Sequence, residues 1–101
     1  MNTAKFVKKL DRQASGNAAV YHLSTPYKYE IMYNVQLTNY VVCSTANTSD
    51  HGWETMVFPT DKDGEVIDWC NLACRRNMDE LDHKFVLLDI GYELETGELK
   101  N

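Results

Sequence analysis

Basic residues are the minority: ten Lys and Arg stand against fifteen Asp and Glu, for a net charge of -5. That balance argues against a general affinity for nucleic-acid phosphates or anionic lipid. Cysteine is scarce and odd in number, with only Cys43, Cys70 and Cys74. Three thiols without a secretion signal point to reduced side chains rather than a disulfide framework. The opening stretch MNTAKFVKKLDRQ is too polar for a signal peptide. No apolar run approaches the length of about 20 residues that spans a bilayer. A soluble, cytoplasmic protein without a membrane partner is therefore expected. Five scattered glycines form no loop that could cradle a phosphate. There are no internal repeats, linkers or low-complexity segments.

What the chain does have is ordinary globular material. The 101 residues are 44% hydrophobic and 25% charged, and they include six Tyr, three Phe and two Trp. Residues 1–101 read as one small domain, with 95–101 expected to fray.

The periodicity is mostly that of strands. Segments 5–10 and 18–24 read as a hairpin around ASGN, where Gly16 and Asn17 tolerate positive φ. Pro26 is expected to end the second strand. YKYEIMYNVQL at 27–37 alternates, with Tyr29, Ile31, Tyr33, Val35 and Leu37 on one face, as in a half-buried antiparallel strand. A break at Thr38–Asn39 is expected before a more central strand at 40–46. After the loop at 47–52, WETMVF (53–58) is a further strand, closed by Pro59. The chain turns at 60–65 and returns through a short strand at 66–69.

The later sequence changes to a helical period. Apolar residues at 78, 81, 85 and 88 suit one helical face. Two starts compete: Asn77 with Glu80 as a capping box, and Asp82 as a second N-cap. Gly91 suits the C-terminal stop, and an edge strand at 92–95 is expected to follow. The class is thus α+β, an antiparallel sheet of four to six strands with one C-terminal helix packed on one face.

Few constellations carry chemistry. DKDGEV resembles the middle of an EF-hand loop. With Gly64 at the sixth position, however, Pro59 and Cys70 fall where the first and last ligands belong. Asp-Gly between two apolar runs is a hairpin signal instead. Cys70, Cys74, His83 and His51 lack the two tight pairs of a zinc site. The two cysteines are expected to pack as small hydrophobes. Cys43 lies mid-strand and reads as a buried structural thiol, and the Ser49, Asp50 and His51 cluster resembles no nucleophile elbow. No catalytic, cofactor or metal residues are assigned. The remaining candidates are acidic: Asp61, Asp63, Glu65, Asp68, Asp79, Glu80 and Asp82 could form a negative face for a protein partner.

YVVCSTANTSDHGWETMVFPTDKDGEVIDWCNL and LDHKFVLLDIGYEL together carry a recurring pattern. It comprises Val42 to Ser44, Glu54 and Thr55, Phe58 and Pro59, Asp63 and Gly64, Asp68 and Trp69, Leu72, Asp82 and His83, then Gly91 and Tyr92. In this pattern the chain resembles short uncharacterised proteins of tailed bacteriophages and some actinobacteria. Residues 28–39 look like an insertion relative to it. The resemblance implies a phage or prophage accessory protein in the host cytoplasm and brings no activity with it. The expected function is binding of a protein partner, one concrete form being inhibition of a host factor. A minor structural or self-assembling phage component is the alternative, and under any of these readings the protein is a monomer or a homodimer. A small thiol or imidazole enzyme comes third.

Overall fold

Five long or short strands in antiparallel succession, and one parallel addition, make a single mixed sheet that curls as a half-barrel. A computed structural model of the protein describes residues 2–11, 16–48 and 52–95. The strands are β1 (Thr3–Leu10), β2 (Gly16–Ile31), β3 (Asn34–Thr48), β4 (Gly52–Thr60), β5 (Ala73–Arg75) and β6 (Glu93–Leu94). One helix, α1 (His83–Asp89), precedes β6. The order across the sheet is β5-β4-β3-β2-β1-β6. The fold is α+β with a late helix, as the periodicity predicts. The sheet is not purely antiparallel, because β6 returns from α1 to lie parallel to β1.

Alternation along the central strands buries both faces. Ala19, Tyr21, Leu23, Val41, Cys43 and Val57 join Val86, Leu87, Ile90 and Tyr92 in the main core under α1. Val20 and Val42 point the other way, yet both are buried. The turn at Gly64 lies over them: a Cβ there would fall 2.9 Å from Val20 Cγ2 and 3.5 Å from Leu10 Cδ2. Trp69 stands edge-on against Phe58 at 5.3 Å while itself remaining mostly exposed.

Neither proline ends its strand. Pro26 lies inside β2, past the point where β1 pairs with it, so its missing N–H faces no ladder. The chain absorbs it in a bulge. From His22 to Tyr27 β2 advances five residues, while its partners Tyr40 to Thr38 advance two. Pro59 stands opposite Val41 inside β4, and its carbonyl accepts from Ile67 N on the side away from β3. A strand residue aims N–H and C=O to the same side, so no β3–β4 bond is lost. The expected break at Thr38–Asn39 is also absent. Thr38 is buried, its hydroxyl 3.1 Å from Thr60 O, and β3 runs straight through.

The returning strand lies later than the alternation suggests. Residues 66–69 form only one isolated bridge, Thr60 to Val66, and the ladder on β4 is made by Ala73–Arg75. Both helix starts are used, by different elements. Asn77 Oδ1 accepts from Asp79 N at 3.0 Å and caps a 3-10 turn at Met78–Glu80. Asp82, extended at ψ 143°, then opens α1. Because the axis is broken there, Met78 and Leu81 do not continue the face of Phe85 and Leu88, and that face is not the buried one. Met78 and Leu88 are exposed, whereas Val86, Leu87 and Ile90 are buried. Gly91, at φ +96°, ends the helix. Gly91 N donates to Leu88 O, and Tyr92 N to Leu87 O, the paired bonds of a Schellman motif.

Candidate functional site

Beyond the bulge, β2 and β3 continue as a two-stranded arm that no other described strand pairs with, Tyr27–Ile31 against Asn34–Thr38. Its loop is two residues long. Met32 and Tyr33 both have positive φ, 48° and 71°, as a primed hairpin turn demands. Neither is glycine, so the tip carries backbone strain on the order of 1–2 kcal/mol per residue. Nothing in MYN advertises such a turn, since Asn-Gly or Asp-Gly is the usual signal.

That turn changes which residues share a face. Lys28 pairs with Leu37, Tyr29 with Gln36 and Glu30 with Val35, so odd positions before the turn face with even positions after it. The unbroken stripe Tyr29, Ile31, Tyr33, Val35 and Leu37 expected from alternation is therefore split. One face turns to the body: Tyr29 is buried and its hydroxyl donates to Asp68 Oδ2 at 2.7 Å. Tyr27 stands edge-on to Tyr92 at 6.3 Å. The other face is bare, with Val35 57% and Leu37 62% exposed. At the tip Met32 is 84% exposed and Tyr33 entirely so. Lys28 and Glu30 flank the apolar pair on that face.

The seven acidic candidates separate into two groups. Asp61, Asp63 and Glu65 form the β4 turn, where Asp61 Oδ1 accepts from the amides of Asp63 (2.9 Å) and Glu65 (3.0 Å). Asp68 is engaged by Tyr29. Asp79, Glu80 and Asp82 lie around the start of α1 on the other side of the sheet. Glu80 is paired with Arg75, which also makes two 2.7 Å bonds to Asp89. Those pairs raise the guanidinium's pKa and hold the Asp89 carboxyl below its usual value. Asp61, Asp68 and Glu80 are thus occupied within the chain. Asp63, Glu65, Asp79 and Asp82 remain exposed.

Sequence reading missed a polar network at the start of α1. His83 Nδ1 lies 2.9 Å from Tyr21 Oη, and Nε2 lies 2.7 Å from Asn17 Oδ1. The consistent assignment has Nε2–H donating to Asn17 and the Tyr21 hydroxyl donating to Nδ1. Both ring nitrogens are thereby occupied, which makes His83 a clamp between β2 and α1 rather than a free base. Only the separation of 62 residues between Tyr21 and His83 hid the pair. Burial pushes the Tyr21 phenol up and the imidazole down. Two threonines act nearby in the same sense: Thr55 Oγ1 donates to Leu81 O at 2.7 Å and sits 2.7 Å from Thr45 Oγ1.

No family model, curated protein or solved structure matches this chain.

Burial of the Cys43 thiol pushes its pKa well up, so it stays protonated and inert. The Ser49, Asp50 and His51 cluster, part of the ASGN turn and the tail from 96 lie outside the described residues. Glu95 is bound at its amide to Ala4 O and at its carboxylate to Thr3 Oγ1. Among the described residues no group of three His, Cys, Asp or Glu is placed to hold a metal ion. No helix among them is long and apolar enough to cross a membrane.

The clamp predicts a pH dependence. Facing His83 are Tyr21 and Asn17 from β2, Lys9 from β1, and Asp82 and Lys84 beside it. Burial lowers its pKa from 6.5 against the smaller opposing effect of Asp82. The unfolded chain therefore takes up the proton first as pH falls. The stabilisation is complete above pH 6.5 and declines as pH drops from there through the folded-state pKa. Urea midpoints measured from pH 8 to 5 should fall in the wild type. The His83→Gln variant, less stable at pH 8, should show a flatter acid limb. An identical slope in both proteins would contradict the clamp.

Proposed function

We propose that this protein is a binding module that engages a protein partner through the bare face of the β2–β3 arm. The observation that supports the reading is the exposure of Val35, Leu37, Met32 and Tyr33 together on one hairpin, whereas the apolar residues exposed on the body (Val7, Ile67, Trp69, Met78 and Leu88) are scattered over β1, the 66–69 segment, the 3-10 turn and α1. Exposed apolar groups gathered in one place mark interaction surfaces more often than isolated ones do. The strained tip agrees, because costly backbone conformations collect at functional sites. A ribbon whose outer strand is unpaired also offers main-chain donors and acceptors to an incoming strand.

The acidic groups then have a secondary part. Asp63, Glu65, Asp79 and Asp82 steer a partner of opposite charge without forming one continuous face. In keeping with the resemblance, we read the chain as a phage-type accessory protein acting on a host factor in the host cytoplasm, without catalysis.

The test is capture by the arm. A photo-crosslinking residue at position 33 should label one host protein in lysate. Val35→Asp with Leu37→Asp should abolish that labelling and leave the circular dichroism spectrum unchanged, since both side chains stand in solvent. Labelling that survives the double substitution would remove the arm as the contact. Labelling of a second copy of the chain would favour self-assembly instead.

A further inference from the structure

A cleft of about 520 Å³ opens between β1, β2 and the start of α1, on a different part of the molecule from the arm. Its size falls within the range of small-molecule sites, about 300–1,000 Å³. The floor is apolar and aromatic. Phe6 and Tyr21 meet edge-to-face at 6.1 Å, with Ala19, Leu81 and Leu94 around them. His83 closes one wall, held rigid by Tyr21 and Asn17. With both its ring nitrogens engaged, the wall suits binding rather than proton transfer.

The rim is charged, and its sign departs from that of the protein. Lys9 and Lys84 stand there with Asp82, two cations against one anion in a chain of net charge -5. Both lysines are exposed and neither has an ion-pair partner among the described residues, although the Lys84 ammonium lies over the Phe85 ring, 5.2 Å from its centre, and must swing from it to reach a ligand. Apolar floor and cationic rim together call for a ligand with an apolar body and a single anionic end.

We propose that this cleft is a binding site for a small apolar carboxylate, its hydrocarbon or aromatic body lying on Phe6 and Tyr21 and its carboxylate reaching Lys9 and Lys84. Charge selects the orientation, since an ammonium end would meet the two lysines. The lysines act as point charges on flexible stems, so selectivity for the exact body is modest.

Titration of the full-length, ¹⁵N-labelled protein with sodium hexanoate at low salt tests the site. Saturable shifts are expected at the amides of Ala19, Tyr21, His83 and Lys84, with a dissociation constant on the order of 1–10 mM for so small a ligand. Lys9→Gln with Lys84→Gln should weaken binding about fivefold or more without altering the spectrum elsewhere. The neutral 1-hexanol should bind the wild type as weakly as hexanoate binds that variant. Equal binding of hexanoate and hexanol, or indifference to the lysine pair, would overturn the carboxylate assignment. Absence of saturable shifts in the cleft would overturn the site. If residues 96–101 of the chain are the true occupant, ending the chain at Glu95 will itself shift these amides, and hexanoate will fail to shift them in the full chain. That outcome also refutes the proposal. The Val35→Asp, Leu37→Asp protein should bind hexanoate like the wild type, which separates this site from the arm.

Discussion

Leu87→Ala is expected to destabilise the protein by about 3 kcal/mol, within the usual range for emptying a fully buried leucine site. Leu87 has no exposed surface and packs in the main core with Val86, Ile90 and Tyr92. Its carbonyl also receives the amides of Ile90 and Tyr92 that close the helix. The side chain therefore sits where helix end and sheet meet, and neighbours fixed by two backbone bonds have little freedom to collapse into the space. A domain of this length is stable by only about 5–15 kcal/mol, so the loss is a large share of the total. The neighbouring change Leu88→Ala is the control. Leu88 is exposed, and its truncation should stay within about 0.5 kcal/mol. Chemical denaturation of the two variants side by side decides between two helix orientations. The periodicity of 78, 81, 85 and 88 predicts that Leu88 is the costly site, whereas the structure predicts Leu87.

Gly16→Ala should be comparably severe, about 3 kcal/mol, from two sources that add. Gly16 has φ +121°, a conformation that costs an L-residue roughly 1–3 kcal/mol. A Cβ there would also lie 2.1 Å from Thr45 O, a backbone atom that cannot swing aside. Gly16 pairs with Ala46 at the end of the longest strand pair, so relief of the clash means parting β2 from β3. For a domain near 100 residues this corresponds to a melting temperature lower by about 12–24 °C. Gly91→Ala isolates the first source. Its φ is +96°, but nothing lies within 4 Å of the added carbon. It should cost about 1 kcal/mol, the ordinary penalty for losing a helix-ending glycine. Equal losses in the two variants would show that the contact with Thr45 is not limiting.

Much of the architecture is legible in local chemistry. The hairpin of β1 and β2, the strand of β4, the Asp61–Glu65 turn, the helix stop at Gly91 and the edge strand after it each follow from a few adjacent residues. The same holds for both helix starts, although only Asn77 caps through its side chain: Asp82 opens α1 without a side-chain cap bond, and Glu80 pairs with Arg75 rather than closing a capping box. The turn reading of DKDGEV is likewise local: the Asp61 carboxylate is spent on the amides of its own loop. Local chemistry misjudges the two prolines, the break at Thr38–Asn39 and the returning strand at 66–69. A missing N–H matters only where a neighbouring strand would have used it, and that depends on which strands end before Pro26 and Pro59.

The sequence by itself thus determined the class, the late helix, most strand positions and the acidic balance, because these depend on alternation, turn residues and composition within a few positions. Only the tertiary structure decided the parallel pairing of β6, the helix face, the clamp of His83 on Tyr21 and Asn17, the cleft beside it, and the bare arm. Each of these rests on contacts between distant residues or on register. The arm shows this most directly. A strand and a two-residue hairpin can carry the same alternating letters, and the difference lies only in the φ of Met32 and Tyr33. Once both angles are positive, Val35 and Leu37 pass to the face opposite Tyr29, and a stripe that reads as core becomes exposed surface.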